Sequence, residues 1–408
     1  MPVARLLGQF FSPAAVPQPL RWFYASIILR RAADALLLVI SPVFLYQLGP
    51  KLSFISDIFP DAFRQGVLTI ILVSLFGRAL HLLLAQPLTR LHQKFGLRTS
   101  ILLGQLIYFS IYIVYSFASA TPDLIWIVPL LWPLVLTLYF NSYHLYLADN
   151  METGKLGQEL GTLEVLIKIA LVISPLLGVL FSSVFGFQDT YLLAAALLLL
   201  STVFLLTLPQ LRFRTQWTWL DFWDSLKKRS YRLQWIGLIG KTWEEGGMNT
   251  FLPLFLFLSF SSIVEPGYIL TSASFFSLIV VYLAGWSFDH SRNTKPVLLS
   301  GASTAVFWIT RFFLIPFPIA FVVAETLERF SSSFFSLSFF AELVKRIRQN
   351  NPLIYVQNRE IILDATVSFG SALLLPMLWL GWNWLLLFAT FAIGSLLSLA
   401  FVKRHRKR

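Results

Sequence analysis

Hydrophobic residues in this chain fall in unbroken blocks of about twenty, separated by short clusters of charged, Gly and Pro positions. The blocks occupy residues 22–46, 67–87, 99–118, 124–147, 160–184, 189–208, 233–258, 266–287, 296–313, 317–341, 358–379 and 383–402. A helix of such length crosses roughly 30 Å of hydrocarbon. Their apolar character is continuous and does not alternate, which argues against a membrane β-barrel. The pattern predicts an all-α membrane protein with twelve transmembrane helices in two pseudo-symmetric six-helix bundles. Residues 1–208 form the first bundle, 233–408 the second with a basic tail, and 209–232 a cytoplasmic linker. In that linker Trp219, Phe222, Trp223 and Leu226 recur at helical spacing, with Asp221, Asp224, Lys227 and Lys228 elsewhere on the wheel. An amphipathic helix at the membrane interface is expected there.

Composition agrees: 57% of residues are hydrophobic and only 13% charged, against about 25% in soluble proteins. Mean hydropathy is +0.72. A net charge of +12 raises the question of nucleic acid, but the position of the charges answers it. With the N-terminus inside, 22 Lys and Arg fall in cytoplasmic segments, while the opposite loops hold only Lys51 and Arg64. Such asymmetry places both termini in the cytoplasm and the chain in the inner (plasma) membrane. No nucleic-acid partner is expected. Pro13, Pro17 and Pro19 break the N-terminal stretch, so it does not read as a cleavable signal and the first span itself starts insertion. The absence of cysteine excludes disulfides and thiol chemistry, and five scattered histidines make no metal motif. No cofactor is expected, and no nucleophile–base constellation suggests an enzyme.

The informative residues are the charges that interrupt the apolar blocks. Arg30 and Asp34 precede Pro42 in the first span, and Lys241 and Glu245 precede Pro253 at the same offsets in the seventh. An ionised side chain at bilayer depth costs about 2.5–3.5 kcal/mol on insertion scales unless it meets a partner or a cavity. Arg31 and Glu244 lie beside these pairs, and the tenth span brings Glu325, Glu328 and Arg329 to the same depth. Cations and acids four apart share a helix face and partly neutralise each other. Lys168 in the fifth span and Asp364 in the eleventh hold matched places with opposite sign, so a pair across the pseudo-twofold is expected. Asn141, Tyr143 and His144 add polar groups in the fourth span, for which a self-satisfied cluster is the competing account. Arg78 and His81 carry no assigned role.

An internal repeat fits these placements. Gly104 and Gly301 close similar loop-to-helix passages, and Glu164 and Lys168 fall opposite Glu360 and Asp364. The chain resembles the major facilitator superfamily over nearly its whole length. That family carries G-x-x-x-D-[RK]-x-G-[RK]-[RK] between its second and third helices and again between the eighth and ninth. Here the second copy keeps Gly285 and Asp289, followed by His290, with Arg292 in place of the second glycine. The first copy has Thr89 and Gln93 for the glycine and aspartate but keeps Lys94, Gly96 and Arg98. The resemblance implies that these loops form a cytoplasmic gate. Gly161, Ala170, Ser174, Pro175, Gly178 and Val179 partly match the family's efflux-antiporter motif in the fifth helix. The arginine that proton-coupled antiporters carry in the fourth helix is missing.

In that family helices one, four, seven and ten line a central cavity. The resemblance then places Arg30, Arg31, Asp34, Asn141, His144, Lys168, Lys241, Glu244, Glu245, Glu325, Glu328, Arg329 and Asp364 around a substrate and proton site. The expected function is secondary active transport of a small organic solute by alternating access, coupled to protons, with export as a candidate direction and a monomer as the unit. The alternative is a membrane scaffold or sensor that keeps the fold without transporting.

Overall fold

A computed structural model describes residues 18–150, 156–212, 216–275 and 295–401. Every regular element among them is helical. The chain begins with α1 (Gln18–Leu36) and α2 (Ile40–Leu48), then α3 (Ala62–Phe95), α4 (Leu97–Ala118), α5 (Ile127–Val135) and α6 (Ser142–Asn150). A long α7 (Leu156–Leu205) and the linker helix α8 (Trp219–Lys227) follow. The second half holds α9 (Arg229–Gly246), α10 (Leu252–Phe260), α11 (Lys295–Leu314), α12 (Pro318–Gln349), α13 (Pro352–Leu380) and α14 (Trp384–Ser398).

Seven helical segments among the described residues are long and apolar enough to cross a membrane. Three further long helices, α1, α9 and α12, are interrupted by the charges singled out above and are not among these seven. Alternation between the ends of the bundle is visible in side-chain contacts. Along α7, Gly178 lies against Leu36 and Phe187 stacks edge-on to Phe44. Phe204 then returns to stack on Trp22, so the chain reverses at Gly186, whose φ of 87° is outside the helical range. That reversal divides α7 into the fifth and sixth expected spans.

Local sequence sets the other boundaries. Asp61 caps α3 by accepting a hydrogen bond from the Arg64 amide at 2.8 Å, and Gly96 ends it with φ of 75°. Asn351 and Asn383 cap α13 and α14 in the same way. Thr218 and Asp221 form a reciprocal capping box on α8. Phe222 of α8 is buried, whereas Leu220 is 74% and Trp223 55% exposed. The apolar stripe read from the sequence is therefore split, one part packing inward and another facing out.

Two π-helical turns, Leu136–Asn141 and Gly247–Phe251, interrupt the fourth and seventh expected spans. Each inserts an extra residue in a turn and redirects the side chains beyond it, a feature frequent at functional sites. Within the first half α1 packs on α7 and α3 on α5; within the second, α9 and α11 pack on α14. Between halves, α3 packs along α13, and α12 meets both α6 and α7.

Gly178 is required where α1 breaks before α2, since a Cβ there would lie 2.0 Å from the Leu36 carbonyl oxygen. Gly178→Leu is expected to lower stability by about 1–3 kcal/mol or more through overpacking. Gly246→Ala, at a helical glycine with open space around it, is expected to leave stability unchanged or slightly raised. Thermal unfolding of the two purified variants in detergent checks the contrast.

Candidate functional site

The two halves of the chain enclose a cavity of about 480 Å³. The two π-helical turns contribute Leu136 and Phe140 from one side and Met248 and Asn249 from the other. Its wall carries Arg31, Arg78, Lys168, Lys241 and Arg359 as cations, with Glu164, Glu244, Glu245 and Glu360 as acids. Nearly every wall charge with a described partner finds it within a turn of helix or across one helix–helix contact.

On α9, Lys241 donates to Glu244 at 2.6 Å and lies 3.5 Å from Glu245. The expected partner was Glu245, four residues on. Glu244, three residues on, is the closer one because Glu245 turns toward the cavity and is 56% exposed. Positions three and four away are both within reach on a helix, so neighbouring contacts decide between them. Arg359 donates to Glu360 beside it, and both line the cavity.

Arg30 and Arg31 are adjacent in sequence but differ in role. Arg30 donates to Asp34 at 2.5 Å, and Tyr108 and Tyr112 of α4 donate to the other oxygen of the same carboxylate at 2.9 and 2.7 Å. The Arg30 guanidinium also lies over the Tyr139 and Phe140 rings, 5.2 and 5.4 Å from their centroids. This nest engages both carboxylate oxygens of Asp34, and neither Arg30 nor Asp34 lines the cavity. Arg31 does, and its Nε is buried without a hydrogen-bond partner.

Lys168 and Asp364 do not pair with each other. Lys168 donates to Ser333 of α12 at 2.8 Å. Asp364 is fully buried and accepts from Arg78 at 2.9 Å and from His81, whose other ring nitrogen lies 2.8 Å from the Thr137 hydroxyl. The reason is packing: α7 faces α12, whereas α13 runs along α3. Arg78 and His81 thus supply the clasp between halves that the repeat suggested for Lys168. Nothing in their local sequence pointed to it, because the partner lies 286 positions away.

The acids of α12 also lie outside the cavity wall. Glu325 accepts from Arg329 at 3.2 Å, as expected from spacing, and from Arg311 of α11 at 2.9 Å. Arg311 lies 3.1 Å from Glu328 as well. This quartet is a buried network between α11 and α12, and the sequence reading did not single out Arg311. Asn141 donates to Gln357 of α13 at 2.7 Å and is a bridge between halves rather than a cavity group. His144 does line the cavity, with its Nδ1 buried and unpartnered, so the polar cluster is not self-satisfied. An unmet buried donor costs about 1–3 kcal/mol, which gives such atoms a reason to meet a ligand. Of the expected site residues, Arg31, His144, Lys168, Lys241, Glu244 and Glu245 line the same cavity.

The first loop is held by hydrogen bonds to the segment that follows α7. Gln210, just after α7, donates to the Phe95 carbonyl at 2.8 Å and accepts from the Arg98 amide at 2.9 Å. The Leu97 amide donates to the Leu211 carbonyl at 2.8 Å. A main-chain and amide clamp therefore holds Gly96, with Lys94 exposed beside it. Gly285, Asp289 and Arg292 lie outside the described residues. Between halves at this end, Arg348 of α12 donates to the Ala148 carbonyl of α6, and Trp217 donates to Asn358 of α13 at 2.8 Å.

The apolar spanning helices and the charged chamber between them define a multi-pass helical membrane protein. The crystal structure of the human organic anion transporter MFSD10 (TETRAN) matches with a TM-score of 0.63, covering 95% of this chain and 99% of that chain at 14% sequence identity. At that identity the likeness is one of fold alone. No protein-family model matches the sequence, and neither does any curated protein.

Asp364→Ala leaves Arg78 and His81 facing an empty acceptor and is expected to destabilise the protein by about 3–5 kcal/mol, the usual effect of breaking a buried pair. Glu245→Ala, at an exposed carboxylate, is expected to change stability by about 1 kcal/mol or less. Unfolding curves of both variants in detergent measure the difference.

Proposed function

We propose that the protein is a secondary active transporter that moves a small organic solute across the inner (plasma) membrane by alternating access. The observation that carries this reading is the cavity itself: a chamber of about 480 Å³, lined by charge, between the two halves of the chain. A soluble-type core has no use for such a chamber, and apolar helices alone do not require one. Its size suits a small organic molecule. In this reading twelve helices form two six-helix bundles that rock about the chamber, with both termini in the cytoplasm and one chain as the working unit. The strong bias of Lys and Arg to one set of loops supports the orientation.

Proton coupling is assigned to Glu244 and Glu245. Their two carboxylates line the chamber and share one Lys241, so this wall holds one acid more than that ammonium can pair. Asp34, held by Arg30 and two tyrosines, is given a structural role instead. The human protein of the same fold is named as an organic anion transporter, which supports an organic solute here too. Export is the proposed direction on the strength of the partial motif that includes Gly178.

Proteoliposomes containing the purified protein, with a pH-sensitive dye inside, test this. Solute-dependent proton movement is expected for the wild type, with a loss of at least about tenfold in Glu244→Gln and Glu245→Gln. Flux unaffected by either substitution would remove the coupling assignment. The complete absence of solute flux across a broad panel, together with no ligand-induced rise in melting temperature, would favour the scaffold or sensor reading.

A further inference from the structure

The cavity wall draws its charges from several helices. At one side α9 sets two carboxylates, Glu244 and Glu245, around the single ammonium of Lys241. Across from it, α1, α6 and α13 bring Arg31, His144 and Arg359 to the same chamber. His144 lies within electrostatic reach of both guanidiniums.

Each of these three side chains has a buried nitrogen with no hydrogen-bond partner: Arg31 Nε, His144 Nδ1 and Arg359 Nε. His144 is itself more than nine-tenths buried. Its neighbours do not explain the vacancy. Arg30, next in sequence, pairs through one Nη with Asp34 although its Nε and other Nη are also unpartnered, whereas Arg31 makes no ion pair among the described residues. The Glu360 carboxylate is engaged by an Nη of Arg359, which leaves Nε free. Glu164 faces the cavity, yet it makes no ion pair with Arg31 among the described residues. Rings of Phe140, Tyr143 and Phe340 flank this end, with His144 set edge-on to Tyr143 and Phe340 at 5.0 and 6.0 Å between centroids.

We infer that Arg31, His144 and Arg359 form a binding site for the anionic group of the solute, a carboxylate, sulfonate or phosphate, carried on an apolar or aromatic body. The inference rests on the transport reading and names the substrate class for its chamber. Charge-assisted hydrogen bonds are the strong ones, and a guanidinium presents donors in a fork suited to two oxygens. His144 contributes an N–H when its proton sits on Nδ1. The aromatic wall takes the apolar body. The acidic side around Glu245 repels the anion, so the solute enters with its charge toward α1 and α13. A chamber of about 480 Å³ admits a drug-sized molecule and is too small for a two-chain phospholipid.

Calorimetric titration of the detergent-solubilised protein tests the site with 2-naphthoate, naphthalene-2-sulfonate and 2-naphthyl phosphate, each beside uncharged 2-naphthamide. At least one anion is expected to bind about tenfold or more tighter than the amide. Arg31→Gln and Arg359→Gln are each expected to remove about tenfold of that advantage while leaving amide binding unchanged. His144→Gln supplies a third variant should either arginine change prevent folding, which the melting temperature reveals. Anions that bind no better than the amide, or folded variants that bind them as the wild type does, overturn the inference. Binding of phosphatidylglycerol that depends on the arginines, with none of the free anions, also overturns it and reassigns the site to lipid. Flux measurements separate the two readings. Transport of neutral or cationic solutes that is unchanged in Arg31→Gln would keep the transporter and end the anion site. Arginine-dependent anion binding with no flux of any solute would keep the site and end the transport reading.

Discussion

A charge cannot remain alone in hydrocarbon, and that constraint organises this protein. The interior ion pairs are solutions to it of three kinds. Some close within one helix turn, as Arg30 does with Asp34 and Lys241 with Glu244. Some cross between neighbouring helices, as Arg311 does to Glu325 and Glu328. One set, Arg78 and His81 with Asp364, crosses between the two halves of the chain. Side chains that fit none of these, notably Arg31 and His144, border the cavity.

Backbone geometry serves the same end. The turn between α1 and α2, the π-helical turns at Leu136–Asn141 and Gly247–Phe251, and the reversal at Gly186 all depart from a straight helix. Irregular backbone at membrane depth is tolerated only where it is buried in protein or lines a cavity. Both π turns meet that condition by contributing to the wall, and the α1 break meets it by the close approach of Gly178 to Leu36. The ends of the helices follow simpler local chemistry, with Asp61, Asn351 and Asn383 supplying side-chain caps.

Much of this was legible in the sequence, because a membrane restricts the chain to few solutions. Block length and continuity predict spanning helices, and the charges at 30, 34, 241, 245, 325 and 329 mark the helices with a polar face. The intrahelical pairs Arg30–Asp34 and Glu325–Arg329 follow from spacing alone, since positions four apart lie on one face. Spacing could not say which face points to the chamber. Asp34, Glu325 and Glu328 therefore read as cavity groups, although tyrosines from α4 and an arginine from α11 enclose them. The repeat placed Lys168 and Asp364 at matched heights, but height does not fix the direction in which a side chain leaves its helix.

The sequence by itself determined the class of fold and which helices carry charge, because hydrophobic length and helical periodicity are local properties of the chain. Tertiary structure alone decided the partners. Arg78 finds Asp364, Asn141 finds Gln357, and Gln210 clamps the loop at Gly96 across separations that no local pattern encodes. It also decided which polar atoms have no partner. A hydrogen bond is satisfied or unmet only when every neighbouring helix is in place, so the unpaired donors of Arg31, His144 and Arg359 are a property of the packed molecule and of no segment within it.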